Sequence, residues 1–395
     1  MAYPLIPLFV TAVLGATTEQ LGAIEGVAVA VVALLTGYAG WRSDRPKRGF
    51  ARRVPWVRWG YGLPVAGKLI VAGAVSWPMV LAGRAIDRLG KGLRSSPRDA
   101  LIADATLPEN RGRAFGFHRA MDTAGAFVGV LISAGVLALF DTLDNQTLTG
   151  GVRAILYIAA AMGLASFLCT FLIREAPKPD TPPHADHSSP DSTAVPPAST
   201  DPSPAALPRA YWFTLIPLLI FALGNSSDTF ILLRAANLGL SPIAVVLAYA
   251  LYNLIFTIAS YPAGVLADRI GKWRTIAIGW LVYAGAYLGF ALTGPAGLWP
   301  LLALYGTYAA MTEGVGKALI ANLAPPGRRG AALGIFAMSG GLTMLAASLI
   351  AGVLWHRIGP AAPFWFGAAT AAAAAACIPA VQWLSRQTTR PPAAR

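Results

Sequence analysis

YPAGVLADR (residues 261–269) and GYAGWRSDR (residues 37–45) are two versions of one segment. Placing Asp44 opposite Asp268 also sets Gly15 against Gly239 and Leu14 against Leu238. At a slightly different offset DALIAD (99–104) faces KALIAN (317–322), and Arg111-Gly112 faces Arg329-Gly330. One unit is therefore present twice in the same orientation. Each copy closes an apolar stretch near the ~20 residues a helix needs to cross a bilayer. The duplication predicts an all-α polytopic membrane protein of two parallel, pseudo-symmetric six-helix bundles.

Such stretches recur along all 395 residues, of which 55% are hydrophobic and 12% charged. A soluble protein averages about 25% charged. Spans are read at 3–15, 17–41, 56–75, 78–105, 113–140, 152–173, 211–235, 241–266, 274–293, 298–322, 329–354 and 361–384. This divides the chain into an N-terminal bundle (1–173), a linker (174–209), a C-terminal bundle (210–386) and a tail (387–395). The linker holds ten of the thirty prolines, a density no helix tolerates, and too little apolar surface to order it. A disordered cytoplasmic linker is expected, with His184 and His187 solvated rather than metal-bound. The alignment sets Met1 opposite Asn225, which leaves span 1 short. Either the native start lies upstream or the first helix is truncated. No cleavable signal peptide is read, so the first helices are expected to direct insertion.

The net charge is +13, but its placement argues against nucleic acid. Twenty of the 31 Lys and Arg fall in alternate loops and the C-terminal tail, three on the opposite side and eight within spans. That is the positive-inside pattern, and it puts the basic loops and the C-terminus in the cytoplasm. Trp41, Trp77, Trp280 and Trp299 are read near helix ends, where amphipathic rings sit. Cys169 and Cys377 read as small core residues. No metal site, cofactor or catalytic constellation is read, and a monomer is expected. Richness in Ala, Gly and Arg suggests a GC-rich bacterium, hence its cytoplasmic membrane.

GVLADRIGKWR (264–274) resembles the loop motif G-x-L-a-D-r-x-G-r-k-x of the major facilitator superfamily. The first-half copy is degenerate: it keeps Gly40, Asp44 and Arg45 but has Arg42 at a small apolar position. LGKGLRSSPRDALIAD and GRAFGFHRAMDTAG are similar to one bacterial branch of that superfamily. The resemblance covers the chain apart from the linker and the first turns. It implies a twelve-span secondary transporter. Asp44 with Arg45, and Asp268 with Arg269, Lys272 and Arg274, then read as a cytoplasmic latch. A carboxylate at a helix end accepts from a neighbouring helix N-terminus and pairs with guanidinium. The alternative is helix-end anchoring alone. Gly264 lets two helices approach closely. Gly125, Gly129 and Gly135 on span 5 resemble the glycine stripe of proton-coupled exporters, with Val130 where that motif has proline.

Span 4 is the most charged. Arg84, Arg88, Lys91, Ser95 and Arg98 recur every three or four residues and share a helix face, and Pro97 predicts a kink or local break. A charge at the bilayer centre costs roughly 3 kcal/mol on insertion scales, so this face must meet a watery cavity or acids. Glu25, Asp87, Asp99, Asp104, Asp122, Asp228 and Glu313 nearly balance the eight intramembrane cations. Structural ion pairing is the alternative to a transport role. Glu25, Asp228 and Glu313 lie in the outer or central region and are the proton-carrier candidates. Arg84, Asp87, Arg88, Lys91 and Lys317 are assigned to the substrate or proton pathway. The polar run Asn225 to Asp228, with Tyr249, Tyr252 and Asn253, could line a cavity or simply hydrogen-bond between helices. Arg98, Asp99, Asp104, Arg113, His118, Arg119 and Asp122 are expected at an inner gate.

These readings converge on alternating access between the halves. Proton coupling is preferred because no GxxxxGK[ST] nucleotide motif is present. Export of a small organic molecule is the first expectation. Uptake or exchange of an organic anion on the Arg84–Arg88–Lys91 face is its rival, and a non-transporting receptor or scaffold is a rival of another class. Scattered histidines and the absence of a large loop domain argue against an enzyme, and duplicated halves argue against a fixed pore.

Overall fold

The computed structural model describes residues 14, 18–45, 53–139, 145–174 and 206–388. Span 3–15 apart from residue 14, linker residues 175–205 and tail residues 389–395 lie outside the described residues. The helices are α1 Thr18–Ser43, α2 Val54–Ala72, α3 Trp77–Asp104, α4 Arg111–Leu137, α5 Asn145–Cys169, α6 Arg209–Gly224, α7 Thr229–Asn237, α8 Pro242–Ile270, α9 Lys272–Leu292, α10 Leu298–Leu323, α11 Arg329–Arg357 and α12 Ala362–Thr388. Among the described residues there is no strand. Seven helical stretches are apolar and long enough to cross a membrane: 108–137, 149–172, 209–237, 247–270, 272–292, 329–357 and 362–384. The charged α3 is not among them.

Local chemistry sets most helix ends. Proline stands in the first turn of α2, α3 and α8, where its missing N–H costs nothing. Ser241 caps α8 by accepting from the Ala244 N–H at 3.3 Å. Only Gly271 separates α8 from α9, with φ +100°, a backbone conformation open to glycine alone. That accounts for the second glycine of GVLADRIGKWR. Two readings of span geometry change. α3 continues through Pro97, and the predicted span 211–235 is two helices, α6 and α7, separated by residues 225–228. Carbonyls and amides freed inside a membrane must be satisfied locally. Tyr283 donates to the Gly224 carbonyl at 2.9 Å, and the Ser348 hydroxyl accepts from Ser227 N–H at 3.2 Å.

Packing repeats the duplication seen in the sequence. In the first half α3 packs on α1 and α2, and α2 on α5; in the second, α10 packs on α8 and α9, and α9 on α12. The halves join through α1 against α11 and α4 against α8. These two contacts exchange under the twofold relation. The second half has an aromatic core that includes Phe221, Trp280, Tyr283, Tyr287 and Phe290. Trp280 is 1% exposed and stacked on Phe221 at 5.0 Å. It is a core residue, contrary to the interfacial position read from sequence, because its ring completes this stack.

Candidate functional site

At one end of the bundle two carboxylates cap helices of the opposite half. Asp268, on the last turn of α8, accepts from the Gly112 and Arg113 N–H groups at 2.9 and 2.8 Å. Asp44, just past α1, accepts from Gly330 and Ala331 N–H at 3.1 and 2.6 Å. The recipients are the N-termini of α4 and α11, where unpaired amides and the helix dipole favour an anion. Close approach makes this possible. A Cβ on Gly264 would overlap the Gly112 carbonyl, and one on Gly40 the Gly330 carbonyl.

Around these caps runs a second layer of contacts. Lys272 pairs with Asp268 at 3.2 Å, and Arg113 approaches it at 3.7 Å. Arg53, read from sequence only as a loop charge, is 1% exposed and bonds Asp44 at 2.7 Å and also Asp104. Burial alone would weaken its proton, but the two carboxylates offset this and hold the guanidinium above its ordinary range. Arg329 reaches Asp104 at 2.5 Å, while Arg111 reaches Asn322 at 2.8 Å and the Ala321 carbonyl at 3.1 Å. Arg329 with Asp104 and Arg111 with Asn322 are the same contact made twice. Ser96 adds a 2.6 Å bond to the Gly330 carbonyl. Among the described residues Arg269 and Arg274 make no such bond, and Arg45 lies over the Trp41 ring at 3.7 Å.

Further in, charged groups of both halves meet. Asp99 pairs with Lys317 at 2.8 Å and with Arg98 at 3.0 Å. Arg119 bridges Asp122 on its own helix at 2.9 Å and Glu313 of the other half at 2.5 Å. Thr123 and Thr257 join α4 to α8 at 2.9 Å. His118 is half-buried beside them. Lys317 thus sits with the gate residues rather than apart from them.

On α3, Arg84 is 4% exposed. Asp87 lies 3.3 Å from Lys68 and 3.8 Å from Arg88. The helix packs against α1, α2, α10 and α11, which keeps its charged face inside the bundle. Lys91 is exposed, yet Arg88, Arg94, Arg119 and Asp122 are near enough to act on its charge. Among the described residues no ion pair reaches it. Asp122 and Glu313 side chains are 55% and 41% exposed. Glu25 lies on α1, but its side chain lies outside the described residues.

A side cleft lies in the second half. Tyr305 donates to Asp228 at 2.7 Å, and Tyr252 packs against the Tyr305 ring at 5.1 Å. Tyr249, Ile231 and Leu232 complete the walls. Asn253 instead donates back to the Tyr249 carbonyl of its own helix at 2.8 Å. Asn225 caps the end of α6, within reach of Tyr308. The tyrosines at 283, 287, 305 and 308 were missed in the sequence reading. Their spacing of four and three residues on successive helices was the available signal.

Comparison with known proteins adds the following. The family model described as Major Facilitator Superfamily matches residues 1–315. An uncharacterized MFS-type transporter of Methanocaldococcus jannaschii is 31% identical over 378 residues, covering 94% of this chain and 88% of the relative. A solved MFS proton:xylose symporter, bound to 6-bromo-6-deoxy-D-glucose, is similar with TM-score 0.73 at 15% identity, over 93% of this chain and 89% of that one. The human organic anion transporter MFSD10 is similar with TM-score 0.64 at 19% identity, over 94% and 87%. These two structural likenesses show the fold alone.

Proposed function

This chain belongs to the major facilitator superfamily, and from that premise we propose a proton-coupled secondary transporter that exports a small organic molecule by alternating access. The carrying observation is the matched pair of carboxylate caps, Asp44 on α11 and Asp268 on α4, which tie the halves together at one end; in this reading they close one end of a charged cavity around Lys91, Asp122 and Glu313. The basic loops make that end cytoplasmic, so the cavity faces outward in this conformation. Rocking of the halves breaks both caps together and exposes the cavity to the cytoplasm.

Glu313 is the coupling group in this reading. Its carboxylate is accessible and holds Arg119 across the interface. A proton on Glu313 cancels that attraction and loosens α10 from α4. The test is a screen for substrate with a deletion strain, followed by proton flux in everted vesicles. Export predicts substrate-driven proton release, with Glu313→Gln abolishing the flux. A flux unchanged in Glu313→Gln would remove this residue from the mechanism. The exposed Lys91 ammonium favours a second reading, uptake or exchange of an organic anion. That reading predicts alkalinisation on the substrate side instead.

A further inference from the structure

Arginines that enter the bundle mostly end on an acceptor. Arg94 donates to the Gly60 carbonyl at 2.9 Å, Arg153 to that of Ala74 at 3.2 Å and Arg234 to that of Phe290 at 3.0 Å. Arg53, Arg98, Arg119 and Arg329 hold carboxylates. Arg58, in the second turn of α2, does neither. It is half-buried, and its Nε is closed off without an acceptor among the described residues. Its guanidinium lies over the Phe171 ring at 4.7 Å. Phe171 belongs to the short 3-10 turn Thr170–Leu172 that follows α5, and the exposed Arg174 stands three residues further on. Among the described residues neither Arg58 nor Arg174 has an ion pair. Acids nearby are absent or taken. α2 and α5 contain no Asp or Glu. On α3, which packs on α2, Asp87 is held by Lys68, Asp99 by Lys317, and Asp104 by Arg53 and Arg329.

The surface around these two guanidiniums is apolar and faces outward. Trp59 is 68% exposed, and Leu168, Phe171 and Leu172 are exposed beside it. Phe167 packs edge-on against Phe171 at 5.3 Å and would touch a Cβ on Gly62 at 3.2 Å, which holds this end of α5 on α2. The basic loops make the rim cytoplasmic. That leaflet is anionic, and basic pockets between helices on that side hold lipid headgroups. A guanidinium offers paired donors to a phosphate, and the exposed Trp, Phe and Leu side chains suit the acyl chains. We infer that the groove between α2 and the end of α5 binds the headgroup of an anionic phospholipid, with Arg58 and Arg174 on its phosphate. Trp59 sits at headgroup level, where an amphipathic ring is favoured. A zwitterionic lipid brings an ammonium that offsets the attraction. The site goes beyond the transport reading and does not depend on it.

The experiment is native mass spectrometry of the delipidated full chain in detergent, titrated with dioleoylphosphatidylglycerol. Dioleoylphosphatidylcholine and inorganic phosphate are the comparisons. Wild type is expected to retain phosphatidylglycerol in preference to phosphatidylcholine. One basic residue at an anionic membrane surface is worth about fivefold in affinity, so Arg58→Gln is expected to raise the apparent Kd of phosphatidylglycerol by about that factor. Arg209→Gln removes an exposed charge at the start of α6 and is expected to leave the Kd at the wild-type value. Phe171→Leu takes the ring from beneath the guanidinium on an exposed turn and is expected to weaken binding too; it decides the question should Arg58→Gln not fold. Equal retention of the two lipids by wild type overturns the site. A loss in Arg209→Gln as large as in Arg58→Gln also overturns it, since net charge and not the groove would then hold the lipid. So does displacement of the lipid by inorganic phosphate at equal concentration, which would mark a site for a free anion.

Discussion

Asp268 uses both carboxylate oxygens, one for each of two backbone amides, and an asparagine offers only one acceptor there. Its second terminal atom would point a donor at a donor. Hydrogen bonds to a charged group contribute about 1.5–3 kcal/mol each, and Lys272 would lose its partner as well. Asp268→Asn is therefore expected to shift the chain away from the state closed at the Asp268 end by roughly tenfold or more, as 1.4 kcal/mol is tenfold. The measurement is the rate at which a Thr123→Cys reporter, with Cys169 and Cys377 replaced by serine, reacts with an impermeant maleimide applied at that end. An unchanged rate rejects the latch. Asp99 and Lys317 allow a second residue-scale test. Removing one partner of a buried pair costs up to about 3–5 kcal/mol, and Arg98 remains beside Asp99 when Lys317 is removed. Asp99→Asn and Lys317→Met combined are expected to lower the unfolding temperature by less than the sum of the two single losses, and additive losses would deny the coupling. The Asp44 and Asp268 copies were legible because they recur at one spacing in the sequence. Asp99 opposite Lys317 was also on the page in DALIAD and KALIAN, since residues near a twofold axis meet their own equivalents. Arg53 was not legible: its burial depends on Asp44 and Asp104 arriving from separate helices.

Helices were readable where their ends carry local chemistry, as with the prolines opening α2, α3 and α8 and the Ser241 cap. The run Asn225 to Asp228 was readable as a polar break in an apolar span, but not as the boundary between two helices. What stabilises the break is remote, namely the Tyr283 hydroxyl and the Ser348 side chain. Trp280 was misplaced for the same reason, since stacking on Phe221 is invisible in its local segment. Element geometry also makes its own prediction. A Cβ on Gly112 would meet the Gly264 carbonyl at 2.5 Å, and neither backbone can yield without separating α4 from α8. Gly112→Val should therefore reproduce the raised Thr123→Cys labelling of Asp268→Asn, since its side chain also crowds the Asp268 carboxylate. Labelling at the wild-type rate would show that helix spacing does not control closure. Gly271→Ala tests the turn by another route. Its φ of +100° costs a side chain about 1–3 kcal/mol, read as a lower unfolding temperature.

At the scale of the molecule, two contacts carry the halves, α1 on α11 and α4 on α8, and the twofold relation makes them one contact seen twice. A rocking motion has to part both near Asp44 and Asp268 while the far ends close. The α1–α11 seam is tight enough to lock chemically. A Cβ on Gly37 would lie 3.2 Å from the Met338 Cβ, and a disulfide holds its two Cβ atoms at about 3.8 Å. Gly37→Cys with Met338→Cys, in the background lacking Cys169 and Cys377, is therefore expected to cross-link under mild oxidation. The oxidised protein should lose transport and reduction should restore it. Gly83→Cys with Val71→Cys supplies the comparison, because it joins α2 to α3 inside one half and leaves the seam between halves free to part. If the inter-half disulfide forms and transport continues, the halves do not separate along α1 and α11. Alternating access would then need a different moving part. If only the inter-half bond arrests transport, the Asp44 and Asp268 caps are the points at which the cycle opens and closes.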